Sequence, residues 1–235
     1  MPKLFIALDF PGFEESVRFI KRIEGARGIG FKVGLQLFLA DGRKIMDYLN
    51  QKGFPVFLDL KLNDIPNTVA GAVRSVQKYY PYMINMHITA GQDAIVAARE
   101  EIEMWDKKPL LIGVTILTSL LKEDLEIIGF QGIKDLESLV INMSRAGHES
   151  GLDGVVTSNH EAEGIKKSVS SDFITVVPGI RIGSGGKDQK RIATIDDARA
   201  SGTDYIVIGR SITGSEDPMA VIDAIMDKID LFDVH

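Results

Sequence analysis

The chain has 235 residues, of which 45% are hydrophobic and 26% are charged, and it carries a net charge of −6 with a sequence pI near 5.3. Its 27 lysines and arginines are scattered rather than clustered, which argues against a nucleic-acid-binding protein. The lack of cysteine excludes disulfides, thiolate nucleophiles and cysteine-ligated metals. Because no apolar run reaches the length of a membrane span and the first strand is too short for a signal peptide, we expect a cytoplasmic protein without a membrane partner.

Eight short apolar runs, rich in Val, Ile, Leu and Phe, are predicted to be strands. They cover 3–9, 28–34, 54–62, 82–88, 109–117, 153–157, 173–177 and 205–209. Between them, apolar residues recur at helical spacing, and Gly42 is expected to weaken the second helix. The predicted helices cover 13–23, 35–52, 67–80, 92–105, 122–128, 133–150, 161–168, 195–201 and 218–231.

This regular alternation of strand and helix predicts a parallel sheet that is buried on both faces. Eight units in 235 residues match an α/β fold of the TIM-barrel type, a (β/α)8 barrel, whose usual length is about 250 residues. We therefore expect residues 1–235 to form a single catalytic domain. A doubly wound open sheet is the alternative, but no glycine-rich dinucleotide fingerprint follows the first strand.

Charged residues interrupt the third apolar run and the turn after it. Alternation along a strand places Asp59 and Lys61 on the same face, and Asp64 follows three residues later. Two carboxylates around one lysine at a strand end indicate a charged active site. Two other interpretations stay open. Asp64 or Asn63 can serve as a helix cap, and Asp59 with Lys61 can be a structural ion pair, although a buried pair is a poor source of stability.

Other polar residues also lie at or near the carboxyl ends of predicted strands, which converge on one rim in a barrel. Lys32 lies among glycines and apolar residues, so we expect it to point inward and to hold Asp59 and Asp64 ionised. His87 is interpreted as a hydrogen-bonded structural residue. With four scattered histidines and no cysteine, we expect no required metal, although carboxylates could still bind Mg²⁺. The other members of this rim are Asp9, Thr118, Arg181 and Arg210.

An anion site is predicted at the end of the eighth strand. Gly209 and Arg210 would supply backbone N–H groups and a guanidinium, which suit a phosphate dianion. A plain strand end with a surface arginine is the alternative. The long glycine-rich loop 179–193 contains Arg181 and Gln189 and is interpreted as a lid, with a flexible insertion as the alternative.

The stretch 59–68, with the sequence DLKLNDIPNT, resembles the signature of the orotidine 5′-monophosphate decarboxylases, particularly the bacterial type. Further blocks along the chain resemble family blocks in the family order. These blocks are 7–9, 31–34, 114–119, 178–181, 188–191 and 208–213.

The resemblance implies a cofactor-independent enzyme that converts orotidine 5′-monophosphate to UMP and CO2. It implies that Lys61 protonates C6 of the pyrimidine and that Asp59, Lys32 and Asp64 complete an alternating charge network. It also implies a homodimer, in which three residues of each chain complete the partner's site. These residues are Asp64, Ile65 and Thr68.

The same resemblance implies a contact for each remaining part of the substrate. Asp9 and Lys32 would hold the ribose hydroxyls, and Thr118 and Ser119 would lie near the pyrimidine. Arg181 would belong to the phosphate loop. The residues implied to hold the 5′-phosphate are Gln189, Gly209 and Arg210.

Two other functions remain as hypotheses. Related barrels act on sugar phosphates through a similar D-x-K-x-x-D motif and a Mg²⁺-stabilised enediolate, and dependence on Mg²⁺ would favour that class. A catalytically inactive barrel that serves as a nucleotide-binding or scaffold protein is the other hypothesis, and nucleotide affinity without turnover would favour it.

Overall fold

A computed structural model describes residues 2–180 and 193–232. Eight parallel strands form a closed barrel in chain order, and β1 pairs with both β2 and β8. The predicted barrel is therefore confirmed and the open-sheet alternative is wrong. The strands are β1 Lys3–Ala7, β2 Gly30–Gly34, β3 Val56–Leu62, β4 Met83–His87, β5 Leu110–Val114, β6 Gly154–Val156, β7 Ile174–Pro178 and β8 Tyr205–Ile208.

Helices lie between the strands and cover the outside of the barrel. The second helix has one non-helical residue, Asp41 (φ −144°, ψ 33°), beside Gly42, where the sequence predicted a weak point. A short helix directly after β8 was not expected from the sequence. The helices are α1 Phe13–Arg22, α2 Leu35–Gln51, α3 Pro66–Val76, α4 Gln92–Glu103, α5 Lys122–Ile127, α6 Leu136–Glu149, α7 Asn159–Ser168, α8 Ile195–Ala200, α9 Arg210–Thr213 and α10 Pro218–Met226, with 3-10 turns at Gln77–Tyr79 and Ile88–Ala90.

The core has two layers because side chains alternate along each strand. In β1, Leu4 and Ile6 belong to the large cluster between the sheet and the helices, whereas Phe5 belongs to the cluster inside the barrel. Phe5 lies 5.7 Å from Phe57 and 5.0 Å from Phe232, measured between ring centroids. These aromatic rings fill the inside of the barrel.

The pairing of β3 with β4 is irregular near its end. Leu58 pairs with Ile84 and Leu62 pairs with Met86, so the three residues 59–61 lie opposite Asn85 alone. Lys61 has a φ of +50°, a left-handed conformation that it shares, among the described non-glycine residues, with Tyr80. Such a conformation costs on the order of 1–3 kcal/mol and is often found at functional sites. The bulge therefore coincides with the charged residues Asp59 and Lys61.

Several predicted strands are shorter in the structure. The clearest case is β5, which ends at Val114 rather than at residue 117, so Thr118 and Ser119 lie in a turn beyond the strand. Residues 181–192 lie outside the described part of the chain, which includes most of the loop 179–193 that the sequence predicted to be a lid. None of the described helices is long and apolar enough to cross a membrane.

Candidate active site

Four charged side chains of alternating sign form a continuous chain across three neighbouring strands. The Nζ atom of Lys32 on β2 lies 3.1 Å from Oδ1 of Asp9 and 3.3 Å from Oδ2 of Asp59. On β3, Nζ of Lys61 lies 2.6 Å from Oδ1 of Asp59. The structure thus brings together Asp9, Lys32, Asp59 and Lys61, as expected from their positions at the carboxyl ends of strands.

The middle of this chain is buried and its two ends are open. The side chains of Lys32 and Asp59 are 13% and 11% exposed, whereas that of Asp9 is 61% exposed. A Cβ atom at Gly34 would lie 3.2 Å from the Lys32 ammonium, so the absence of a side chain at Gly34 leaves room for this inward lysine. Asp9 and Lys61 are therefore the members that a ligand from solvent can reach most easily.

Asp59 is held in its ionised form. Burial, the largest single influence, raises the pKa of its carboxyl, but the positive charges of Lys32 and Lys61 and the hydrogen bonds from Lys61 and Asn85 lower it further than burial raises it. The net result is a pKa below the ordinary value of an aspartate. Asp59 is therefore a permanent negative charge next to the Lys61 ammonium at neutral pH.

Asn85 on β4 is a member of the site that the sequence analysis missed. Its Nδ2 donates to Oδ1 of Asp59 and its Oδ1 accepts from the backbone N–H of Lys61, both at 2.7 Å. The sequence offered one signal for Asn85, namely a polar residue in the middle of a strand that is otherwise apolar up to its last residue, His87. The contact itself depends on the bulge in β3, which is a tertiary feature.

His87 lies two residues further along β4 and does not match the expectation that it is a hydrogen-bonded structural residue. Its side chain makes no hydrogen bond to any described residue. Burial and the nearby positive charge of Lys61 lower the pKa of the His87 imidazole, against a smaller opposing effect of Asp59. His87 is thus a neutral, half-buried group beside the charge chain at neutral pH.

Asp64, Ile65 and Thr68 lie on the surface instead of in their own chain's charge cluster. All three are exposed, and Ile65 is 66% exposed. Asp64 accepts from the backbone N–H of Ile65 at 2.7 Å, and no ion pair joins it to a lysine of the described residues. The N-cap of α3 is Ile65 and has no side-chain cap bond, so the interpretation of Asp64 or Asn63 as a helix cap is wrong.

A cavity of about 620 Å³ lies beside Asp9 and Lys32, between the ends of β7, β8 and β1. Gly209 and Arg210 are among its lining residues, and Arg210 is exposed. A Cβ atom at Gly209 would lie 3.6 Å from Oδ2 of Asp9, which shows how closely the ends of β8 and β1 approach. The cavity is large enough for a nucleotide-sized ligand and has cationic side chains on two sides.

Not every predicted site residue can be placed in this cluster. Thr118 and Ser119 are exposed in the turn after β5, and their side chains make no hydrogen bond to the part of the chain that the structure describes. Arg181 and Gln189 lie outside the described residues. Within 2–180 and 193–232, no three His, Asp or Glu side chains are grouped so that they could hold a metal ion.

Comparison with known proteins gives one consistent result. Residues 2–225 match the family model described as "Orotidine 5′-phosphate decarboxylase / HUMPS family". The chain is 43% identical to an orotidine 5′-phosphate decarboxylase of Hydrogenovibrio crunogenus, over 97% of this chain and 96% of that one, and 44% identical to one of Streptococcus mutans, over 95% and 96%. The crystal structure of orotidine 5′-phosphate decarboxylase from Lactobacillus acidophilus is similar with a TM-score of 0.80 and 30% identity, covering 97% of this chain and 98% of that one.

The family match covers nearly the whole chain. It agrees with the structure, which is a closed barrel with lysines and aspartates clustered at the carboxyl ends of the strands. The resemblance inferred from the stretch 59–68 is therefore confirmed. This chain belongs to the orotidine 5′-phosphate decarboxylase / HUMPS family.

Proposed function

We propose that this protein decarboxylates orotidine 5′-monophosphate to UMP and CO2. The observation that carries the proposal is the contact between Lys61 and a buried, ionised Asp59, which keeps an ammonium group at the open end of the charge chain. The names of the relatives at 43% and 44% identity support the same activity.

Lys61 is the proposed proton donor. As the bond between C6 and the carboxylate breaks, CO2 leaves with the carboxylate oxygens and the electron pair stays on C6. A proton from Nζ of Lys61 then forms the C6–H bond, which leaves the lysine neutral until it is reprotonated from solvent. Oδ1 of Asp59 accepts a hydrogen bond from this Nζ at 2.6 Å, which fixes the position of the lysine in the site.

Proton donation is one part of the required acceleration. A carbanion in the plane of the pyrimidine ring has no good electron sink, so the uncatalysed reaction is very slow, and such reactions can demand about 20 kcal/mol of transition-state stabilisation. A general acid typically contributes about 10²–10⁴-fold. We assign the rest to the fixed charges of Lys32, Asp59 and Lys61 and to binding energy from the phosphate end of the substrate. The proposed chemistry uses no cofactor and no metal.

The cavity next to the charge chain is the proposed site for the ribose and the 5′-phosphate. Asp9 and Lys32 line it on one side. The Asp9 carboxylate would accept hydrogen bonds from the ribose hydroxyls, and the Lys32 ammonium would donate to them. Gly209 and Arg210 line the other side, where a guanidinium and backbone N–H groups at the start of α9 suit a phosphate. Arg181 and Gln189 are proposed as further phosphate contacts, and Thr118 and Ser119 as contacts of the pyrimidine.

We also propose that the working unit is a homodimer in which each chain completes the site of the other. Asp64, Ile65 and Thr68 are exposed and lie outside the charge cluster of their own chain, so a second chain can reach them. A second carboxylate, placed near Lys61 by a partner, would extend the alternating chain of Asp9, Lys32, Asp59 and Lys61 by a fifth charge.

The ultraviolet absorbance of orotidine 5′-monophosphate, mixed with purified protein and EDTA, tests the activity. Loss of the orotate band with formation of UMP is the expected result. No conversion, followed by turnover of sugar phosphates after Mg²⁺ is added, would replace this proposal with the metal-dependent branch of the family. Nucleotide binding without turnover in either assay would instead indicate an inactive barrel.

A further inference from the structure

Asn85 occupies a position between the proposed proton donor and its carboxylate. Its side chain is buried in β4, and the residue is 1% exposed. One amide group serves two partners, because Nδ2 donates to Asp59 and Oδ1 accepts from the backbone of Lys61. Both partners belong to the bulge of β3, while Asn85 itself belongs to the neighbouring strand.

The bulge in β3 explains why the polar side chain of Asn85 is needed opposite residues 59–61. Regular pairing between β3 and β4 stops after Leu58 and Ile84 and resumes at Leu62 and Met86. Between these pairs, the backbone N–H of Lys61 donates to Oδ1 of the Asn85 side chain. Lys61 is in a left-handed backbone conformation at this point, and its Nζ donates to Oδ1 of Asp59 at 2.6 Å.

We propose that Asn85 is a positioning residue, which holds Lys61 and Asp59 in the arrangement that the decarboxylation requires. The inference rests on the proposed function. Asn85 acts through the two residues that it contacts. An amide suits this role because it offers a donor to the carboxylate and an acceptor to the N–H at once, whereas an apolar residue offers neither.

The charged and titratable groups around Asp59 come from three strands, and they decide how variants of Asn85 respond to pH. Lys32 faces Asp59 from β2 and Lys61 from β3, while His87 lies nearby on β4. A carboxyl group at position 85 would lie against the Asp59 carboxylate, and two adjacent carboxylates strongly raise the pKa of one of them. Once protonated, the introduced carboxyl could again donate to Asp59 and accept from Lys61.

The test compares Asn85→Leu and Asn85→Asp with the wild-type protein and with Thr175→Val. Thr175 is fully buried in β7, a strand that carries no member of the charge cluster, and it donates to Asp204 at 3.2 Å, so this control loses a partly buried hydrogen bond elsewhere in the barrel. Each protein is checked for folding by circular dichroism and thermal melting. The values of kcat and KM for orotidine 5′-monophosphate are then measured across pH.

We expect Asn85→Leu to lower kcat by about 10²-fold, the loss typical of a catalytic group displaced by about 1 Å, with a much smaller change in KM. Asn85→Asp should be slow at neutral pH and regain activity as the pH falls, because protonation restores the donor to Asp59. A folded Asn85→Leu protein with the kcat of Thr175→Val would overturn the inference. So would a folded Asn85→Asp protein with the wild-type pH profile.

If Asn85→Leu does not fold, Asn85→Asp decides the question, because it has nearly the same shape and retains the acceptor for Lys61. Failure of the wild-type protein to convert the substrate would reject the proposed function itself. Wild-type conversion with no effect of either Asn85 variant would reject the positioning role alone.

Discussion

The ammonium of Lys61 lies 2.6 Å from the carboxylate of Asp59, although only one residue separates them along β3. An ordinary strand would place their side chains parallel on one face, whereas here the left-handed backbone of Lys61 and the bulge of β3 bring the charges into contact. The ammonium keeps an open side toward the rim, because the Lys61 side chain is 31% exposed.

Replacing Lys61 by alanine should nearly abolish turnover. If Lys61 is the general acid, its removal should lower kcat by at least the factor of roughly 10²–10⁴ that such groups contribute. The loss of its positive charge next to Asp59 should lower kcat further. The measurement is kcat for orotidine 5′-monophosphate in EDTA. Lys107→Ala, at an exposed position before β5, is the matched control and should keep wild-type activity. Unchanged turnover in the Lys61 variant would refute its assignment as the proton donor.

Arg210→Ala should weaken substrate binding and also slow the chemistry. The guanidinium is proposed to hold the phosphate, and charge-assisted hydrogen bonds of this kind contribute roughly 1.5–3 kcal/mol, which corresponds to about 10–150-fold in kcat/KM. Steady-state kinetics should show a higher KM together with a lower kcat. Arg43→Ala, on an exposed part of α2, serves as the control. Equal kinetics for the two variants would show that Arg210 does not bind the phosphate.

Mixing two inactive variants tests the shared site. Lys61→Ala and Asp64→Ala proteins, exchanged by partial unfolding and refolding, should recover up to about a quarter of wild-type activity, since half of the two-fold dimers then contain one intact site. Lys61→Ala mixed with Asp59→Ala is the control, because these two residues contact each other within one chain and no intact site can form. Without recovery in the first mixture, each site must be built from one chain.

The ionised state of Asp59 predicts how stability depends on pH. The pKa of Asp59 is lower in the folded protein than its ordinary value of about 3.9, so its contribution to stability is fully present above that value and is lost as the pH falls through the folded pKa. Urea denaturation should therefore show a steeper loss of unfolding free energy below about pH 4 in the wild-type protein than in Asp59→Asn. Parallel curves for the two proteins would show that Asp59 is not stabilised in its ionised form.

Much of the architecture could be predicted from residue patterns. The apolar runs and the helical periodicity between them predicted eight strand and helix units, and the structure closes them into a barrel. The placement of Asp9, Lys32, Asp59 and Lys61 on one rim followed from the general rule that parallel barrel strands end together. Strand ends were less accurate, as β5 shows, because apolar residues continue past Val114 into a turn.

The sequence by itself determined the fold class, the family and the charged motif, because hydrophobic periodicity and a specific run of residues are local properties. It could not determine that Asn85 contacts both Asp59 and Lys61. Those relationships depend on the pairing of β3 with β4 and on the left-handed conformation of Lys61. Only the tertiary structure decides them, since register and bulges result from how neighbouring strands meet rather than from the residue pattern of either strand.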